Sequence, residues 1–237
     1  MTAIDSTSKP AGAVRSPGLG WADLFILITV LIWGVNFVVV KAALNAFTPL
    51  AFNSIRFSLA TLIEIGILFA RGGTLSMPRG DLRRMAPLAL LGVLSYQVLF
   101  VFGIRRTTAG NASVLLATIP IFVALYTALF RRQPMARTVW AGAGLTFAGV
   151  GLLTLGSGKT LAAGLETLPG DLMMLMSAVC WAAYTVGAQR LMARHEPLKL
   201  TALSMLITAP AMNLLAIPEL AAADWAGIPL AAWGGLL

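Results

Sequence analysis

Long apolar segments, separated by short polar loops, recur along almost the whole of this chain. They lie at residues 22–44, 48–70, 85–104, 108–130, 138–156, 169–193 and 198–217. Most of them reach the roughly 20 residues that a helix needs to cross the hydrocarbon core of a bilayer. An eighth apolar run begins at Trp225 and is too short to span when it reaches Leu237. The pattern predicts a membrane protein with seven full spans and a partial eighth.

The spans are expected to be helices. A bilayer offers no water to an open strand's backbone, and the segments lack the two-residue alternation of a membrane barrel. Composition supports this fold class, an all-α polytopic membrane protein: 58% of the 237 residues are hydrophobic and 11% are charged. A soluble domain has about 45–50% apolar and about 25% charged residues. A soluble enzyme, a nucleic-acid reader and a disordered protein are therefore all disfavoured.

Residues for catalysis, metal binding or nucleotide binding are scarce. The chain has one cysteine, Cys180, and one histidine, His195, which lies outside the predicted spans. An intramembrane protease needs paired catalytic groups, and Glu64 has no second carboxylate in a span. The segment 156–160 resembles a phosphate-binding loop, but Leu153 stands where its first glycine is required. We predict no enzyme activity, no catalytic residue, no metal, no cofactor and no nucleotide.

Positively charged residues in the loops and at the ends of the spans are distributed unevenly. With the amino terminus in the cytoplasm, twelve Lys and Arg residues lie inside and four lie outside. Cytoplasmic loops carry an excess of these residues, so this orientation is predicted. The tail 1–21 and the loops 71–84 and 131–137 are then cytoplasmic, and the chain is expected in the cell inner membrane.

The chain partly matches itself when it is shifted by 148 residues. The matched pairs are Asp23-Leu24 with Asp171-Leu172, Trp33 with Trp181, and Pro49-Leu50 with Pro197-Leu198. The first span therefore corresponds to the sixth. Because five spans separate the start of one copy from the start of the other, the second copy enters the membrane from the opposite side. Inverted repeats with a site at their interface are typical of transporters.

Several motifs resemble those of a known family. In chain order they are Ile32-Trp33-Gly34-Val35-Asn36-Phe37 with Lys41, Pro49 with Arg56-Phe57, Thr107-Thr108-Ala109-Gly110-Asn111-Ala112-Ser113 with Pro120, and Cys180-Trp181-Ala182-Ala183-Tyr184. Together they resemble EamA-type transporters of the drug/metabolite transporter superfamily. The resemblance implies ten helices in two inverted five-helix repeats with both ends cytoplasmic. It also implies transport, often export, of amino acids or other small metabolites.

On this resemblance the chain divides into a tail, two repeats and a connecting loop. The divisions are a cytoplasmic tail 1–21, a first repeat 22–156 with helices one to five, a periplasmic loop 157–168, and a truncated second repeat 169–237. The family often ends its fourth span with Leu-Gly-Glu, whereas this chain has Phe130-Arg131-Arg132-Gln133. Most of the eighth helix and the last two are also missing. We expect a fragment or a truncated product that transports poorly or not at all by itself.

Polar and aromatic residues inside the spans are the candidate substrate site. Trp33 and Asn36 share one face of the first span, and Trp181 and Tyr184 occupy the equivalent positions of the sixth. Further candidates lie on the third and fourth spans: Tyr96, Gln97, Phe100, Asn111 and Thr118. Polar groups at this depth face protein or water. They therefore line a substrate cavity or, alternatively, form interhelix hydrogen bonds.

Two charged residues and one proline in the spans have further interpretations. Arg56 is expected to snorkel outward, and Glu64 either snorkels inward or takes part in proton coupling. Pro120, two residues after Thr118, predicts a kink in the fourth span.

The predicted function is a secondary transporter that exports amino acids or related metabolites by alternating access. Its predicted partners are a small-molecule substrate and the lipid bilayer, and no nucleic acid. Two alternatives stay open: a lipid-linked metabolite flippase, and a membrane protein that does not transport because of the truncation. Substrate identity and oligomeric state are left open.

Overall fold

Helices make up all the regular secondary structure in the part of the chain that the structure, a computed structural model, describes: residues 20–131, 137–156 and 161–236. The helices are α1 Trp21–Ala43, α2 Pro49–Ala70, α3 Arg79–Leu88, α4 Ser95–Arg106, α5 Ala109–Leu116, α6 Ile119–Arg131, α7 Arg137–Gly156, α8 Leu161–Met192, α9 Pro197–Ala222 and α10 Leu230–Trp233. A π-helical segment, Ala89–Leu94, joins α3 to α4, and a 3₁₀ turn, Gly234–Leu236, follows α10. The predicted all-α class is confirmed.

Six helical stretches among the described residues are long and apolar enough to cross a membrane. They are Asp23–Ala43, Pro49–Ala70, Arg79–Arg106, Ala109–Phe130, Glu166–Met192 and Pro197–Ala222. These match six of the seven predicted full spans. The remaining predicted span, 138–156, coincides with α7. Many side chains of α7 are not among those that the structure describes. The total of seven full spans, the ten-helix fold and the repeat boundaries stay predictions.

The described residues form two compact units: the first ends at Val35, and the second begins at Asn36. In the first unit α1 begins with a capping interaction, because the backbone N–H of Gly20 donates to Asp23 Oδ2 at 2.8 Å. Most of its large apolar side chains are exposed, and Trp33 is 52% exposed. A helix this apolar and this exposed is typical of lipid contact.

Two long helix pairs organise the second unit. Helix α2 packs along α9, and α4 packs along α8, which also contacts α5 and α6. The α4–α8 pair is very close at Gly170, where an added Cβ would lie 2.6 Å from the backbone carbon of Arg106. Small residues allow such approaches between membrane helices. The packing therefore brings helices of the two predicted repeats into direct contact.

Two of the apolar segments contain a break in regular α-helix. The first break is the π-helical segment Ala89–Leu94, which begins two residues after Pro87, a residue without the N–H that an α-helix uses. The second lies between α5 and α6, at Ala117 and Thr118, just before Pro120. The predicted irregularity at Pro120 is therefore present in the structure.

Lys41 closes the carboxyl end of α4. Its ammonium group donates to the carbonyl oxygens of Ile104 at 2.9 Å and of Thr107 at 2.5 Å. Cations stabilise this end of a helix because its last carbonyls have no partner within the helix. The lysine of the first sequence motif therefore fixes α1 to the end of α4.

Candidate functional site

Five aromatic side chains form a continuous series of ring contacts in the second unit, called here the aromatic ladder: Phe37, Phe100, Tyr96, Trp181 and Tyr184. The ring centroids of Phe37 and Phe100 are 6.1 Å apart, and those of Phe100 and Tyr96 are 5.9 Å apart. Trp181 lies 4.9 Å from Tyr96 and 5.5 Å from Tyr184. Both tyrosines are buried. The ladder joins α1 and α4 of the first predicted repeat to α8 of the second.

Polar partners flank the ladder. The guanidinium of Arg56 donates to Asn36 Oδ1 at 3.0 Å and lies within electrostatic reach of Tyr96. Arg56 therefore does not snorkel outward as the sequence predicts, because a neighbouring helix offers its guanidinium an acceptor. At the other end, the hydroxyl oxygens of Tyr184 and Ser204 are 2.8 Å apart and share a hydrogen bond. Asn36 and Tyr184 thus make interhelix hydrogen bonds, and their lining of a cavity stays a prediction.

Two amide oxygens at the contact between α2 and α4 are buried without a hydrogen-bond donor among the described residues. They are Asn53 Oδ1 and Gln97 Oε1. Asn53 is fully buried, and its Nδ2 donates to the backbone oxygen of Gln97 at 3.0 Å, so the two residues are neighbours. A buried acceptor without a partner costs about 1–3 kcal/mol. These oxygens are therefore suited to a donor that arrives with a ligand.

Glu64 supplies a third acceptor of this kind. Its Oε2 is buried and has no hydrogen-bond partner among the described residues. The side chain lies on α2 beside Thr201 of α9. The second unit thus contains an intramembrane carboxyl group with an acceptor that the protein leaves unused.

A seam of polar side chains connects α2 to α9. Asn213 Oδ1 accepts from Ser54 Oγ at 2.7 Å and from Ser58 Oγ at 3.2 Å. Further along the same pair, Glu219 accepts from the backbone N–H groups of Leu50 and Ala51, at 2.7 and 3.1 Å. Glu219 therefore caps the start of α2 from α9. We call Ser54, Ser58 and Asn213 the α2–α9 seam.

The remaining predicted site residues lie in other surroundings. Asn111 Nδ2 donates to Asp171 Oδ1 at 3.3 Å, and Thr107 donates to the same carboxylate. This polar group lies near the carboxyl end of α4. The hydroxyl of Thr118 donates to the backbone oxygen of Leu115 at 2.5 Å, at the α5–α6 break. Trp33 belongs to the first unit. The roles of Trp33, Asn111 and Thr118 in a substrate site stay predictions.

Sequence reasoning missed several members of this polar network. Asn53, Ser204 and Asn213 were not selected, although each is a polar residue inside an apolar segment. Their depth in the spans was the signal that could have identified them. The described residues contain no group of three or more His, Cys, Asp or Glu side chains that could hold a metal ion.

The fold and the site define a class of protein: a multi-pass helical membrane protein with polar and aromatic side chains buried between its spans. Intramembrane polar residues of this kind mark substrate and ion pathways. The sequence pattern of the EamA-like transporter family matches residues 20–155 and 168–237. The chain belongs to the EamA-like transporter family.

Relatives from several organisms support this assignment. An uncharacterized transporter of Archaeoglobus fulgidus is 31% identical over 179 residues, which cover 76% of this chain and 61% of that protein. The uncharacterized transporter YyaM of Bacillus subtilis is 27% identical over 205 residues, covering 86% of this chain and 67% of YyaM. The uncharacterized inner membrane transporter YedA of Escherichia coli is 27% identical over 165 residues, covering 68% of this chain and 51% of YedA.

The chain is shorter than these relatives. Its matched part spans from 51% to 67% of their lengths. One solved structure, titled only as the crystal structure of a protein, has a TM-score of 0.64 at 22% identity. It covers 90% of this chain, and the chain covers 71% of it. This likeness shows the fold.

Proposed function

We propose that the protein to which this chain contributes is a secondary transporter of the cell inner membrane. It exports amino acids or related small metabolites by alternating access. One observation carries the proposal: the aromatic ladder and its buried acceptors lie where helices of the two predicted repeats meet. Transporters with inverted repeats bind their substrates at this interface.

The polar groups around the ladder suit a zwitterion. A substrate carboxylate matches the guanidinium of Arg56, which Asn36 orients in the absence of substrate. A substrate ammonium group matches the unpaired oxygens of Asn53 and Gln97. The aromatic rings contribute apolar walls for the rest of the molecule. The substrate class therefore follows from one cation and two acceptors beside an apolar surface.

Admission of a substrate requires the helices around the ladder to separate, because its rings contact one another. Two breaks in the backbone are suited to this movement: the π-helical segment Ala89–Leu94 and the break before Pro120. π-Helical turns occur often at functional sites. We propose that α4 and α6 move at these breaks while α8 stays a continuous helix.

Glu64 is the proposed site of proton coupling. Carboxyl groups inside membrane helices are the usual members of proton relays. The Glu64 side chain lies beside Thr201 of α9 and within electrostatic reach of Tyr184, the last ring of the aromatic ladder. A proton that binds there changes the charge next to the proposed substrate site.

The test compares efflux and abundance in the full-length parent protein. Asn36→Leu removes the acceptor of Arg56 while keeping the number and branching of the side-chain heavy atoms. We expect efflux of the amino-acid substrate to fall at least tenfold while the extracted protein stays near the parental amount. A lost interhelix hydrogen bond by itself costs about 0.6 kcal/mol on average, which is too little to remove the protein from the membrane. Gly34→Ala is the matched control, because a Cβ at Gly34 meets nothing within 4 Å.

Two results would contradict the proposal. Normal efflux by Asn36→Leu at normal abundance removes Asn36 and its partner from the site. If efflux falls only in proportion to the amount of extracted protein, the hydrogen bond between Asn36 and Arg56 serves assembly alone.

A lipid-linked metabolite flippase is the second candidate. It is favoured by a groove of about 750 Å³ between α2 and α9, which is lined by the α2–α9 seam and by apolar residues such as Leu59 and Leu214. A polar strip in an apolar groove suits an amphiphile whose tail stays in lipid. Ser54→Ala with Ser58→Ala is expected to abolish lipid translocation in vesicles under this alternative, and to leave amino-acid efflux unchanged under the first.

A further inference from the structure

A second cavity of about 680 Å³ lies at one end of the helix bundle, and no residue of the aromatic ladder lines it. Its walls come from α3, from the last turns of α6 and from the last turns of α8. Its lining includes Arg83, Arg84, Leu88, Phe130, Val186 and Arg190. The proposed transport mechanism uses none of these residues.

The rim of this cavity is strongly basic. Four arginines line it, with Asp81 as the one acidic lining residue. Asp81 is already engaged, since it pairs with Arg194 at 3.7 Å and its Oδ2 accepts from His195 Nε2 at 2.9 Å. Arg83, Arg84 and Arg190 have no carboxylate within salt-bridge distance in the part of the chain that the structure describes. The cavity therefore has uncompensated positive charge.

The wall of the cavity is apolar. Leu88, Val186 and Phe130 line it together with Pro87 and Leu191. Phe130 is 71% exposed at the last full turn of the apolar segment. The Phe130 ring therefore adds exposed apolar surface at the edge of the cavity. The cavity thus offers cations at its rim and an apolar surface on its membrane side.

Close helix packing shapes the cavity from behind. Gly187 lies on α8 against α3, and an added Cβ there would be 2.5 Å from Leu88 Cδ2. Both residues line the cavity. The cavity is therefore shaped where the Leu88 side chain of α3 packs on Gly187 of α8.

We propose that this cavity binds one anionic phospholipid, with the phosphate at Arg83, Arg84 and Arg190 and an acyl chain along Phe130 and Val186. Arginine presents a planar fork of donors that matches phosphate oxygens. Basic pockets between membrane helices are established sites for anionic headgroups. The charge selects an anion, and the apolar wall at the level of the helix ends selects one that carries a hydrocarbon chain.

The test uses the full chain in nanodiscs of phosphatidylcholine with a minor fraction of phosphatidylglycerol. Native mass spectrometry counts the lipids that stay bound after release. We expect one retained phosphatidylglycerol, and about thirtyfold weaker retention in Arg83→Gln with Arg190→Gln, from about 1 kcal/mol for each arginine. The matched control, Arg71→Gln with Arg137→Gln, loses the same charge outside the cavity lining and is expected to retain the lipid.

A second variant separates shape from charge. Ala183→Phe fills the cavity from α8 and keeps every arginine, so we expect it to lose the retained lipid as well. Equal losses in the control pair would reduce the effect to general electrostatic attraction and overturn the proposal. Glycerol 3-phosphate that binds as tightly as the lipid would also overturn it, because the occupant would then be a soluble anion.

Discussion

Gly92 gives the sharpest test of how the ladder is packed. A Cβ added at this position would lie 2.4 Å from Tyr184 Cβ and 3.2 Å from Tyr184 Cα. The nearest atoms belong to the base of the side chain, so the ring cannot relieve the overlap by rotating about χ1. Tyr184 is also held by its hydrogen bond to Ser204 and by Trp181. Gly92→Ala therefore forces the π-helical segment away from α8 by about 1 Å.

The expected cost of Gly92→Ala comes from overpacking. Extra methyl groups in a well-packed interior cost about 1–3 kcal/mol. Gly66→Ala is the matched control, since it lies in membrane helix α2 and a Cβ there meets nothing within 4 Å. Both variants gain the same helix propensity, about 1 kcal/mol. The difference between them isolates the overlap with Tyr184.

The measurement is the free energy of unfolding of both variants, by denaturant titration in the same micelle or bicelle. We expect Gly92→Ala to be about 1–3 kcal/mol less stable than Gly66→Ala. Trp fluorescence is expected to change only in Gly92→Ala, because the ring of Trp181 contacts the ring of Tyr184. Equal stability of the two variants would refute the close contact between this segment and α8.

Three further predictions concern the seam, the orientation and the proton site. Asn213→Leu removes the hydrogen bonds to Ser54 and Ser58 and is expected to lower the free energy of unfolding by about 1 kcal/mol. The control variant Leu214→Met is expected to leave it unchanged. Equal free energies of unfolding in the two variants would show that the seam adds no stability. Arg79→Cys in a Cys180→Ser background should react with a membrane-impermeant thiol reagent only from the cytoplasmic side, and ready labelling from outside would reverse the orientation. Glu64→Gln in the full-length parent should abolish the dependence of efflux on a pH gradient while leaving facilitated exchange intact, and an unchanged dependence would exclude Glu64 from coupling.

The spans were predictable from sequence because a bilayer imposes a simple rule on the backbone. The predicted segment 48–70 agrees closely with α2, Pro49–Ala70, since Pro49 marks a helix start and the apolar run marks its length. The predicted segment 85–104 is shorter than the observed span Arg79–Arg106. Charged residues such as Arg83 and Arg84 end an apolar run, but they do not end a helix.

The irregular backbone segments were harder to predict from the sequence. Pro120 identified the break between α5 and α6, because proline removes a helical N–H. Nothing in the composition of Ala89–Leu94 distinguishes it from an α-helix, and Pro87, two residues earlier, does not by itself specify a π-helical turn.

The site was predictable as residue types but not as pairs. Asn36, Tyr96 and Tyr184 stood out because polar groups in apolar segments need partners. The partner of Asn36 is Arg56, on another helix, and this pairing depends on how α1 and α2 rotate relative to one another. The unpaired oxygens of Asn53 and Gln97 are a property of the packed α2–α4 contact. The pattern of apolar and polar residues along a single helix does not specify which residues of two different helices will meet.

The π-helical segment has a consequence for insertions and deletions. A π-helical turn holds one more residue than the α-helical turn that it replaces. Deleting one residue within Ala89–Leu94 would restore an ordinary α-helix and leave the later side chains of α4 on the faces that they occupy now. Closing the segment into an α-helix without a deletion would instead turn every later side chain by about 100° around the helix axis, so Tyr96 and Gln97 would leave the α8 and α2 contacts together. A change between π-helix and α-helix in these six residues is therefore a switch of the face that α4 presents, and relatives that lack one residue here would keep the same row of side chains.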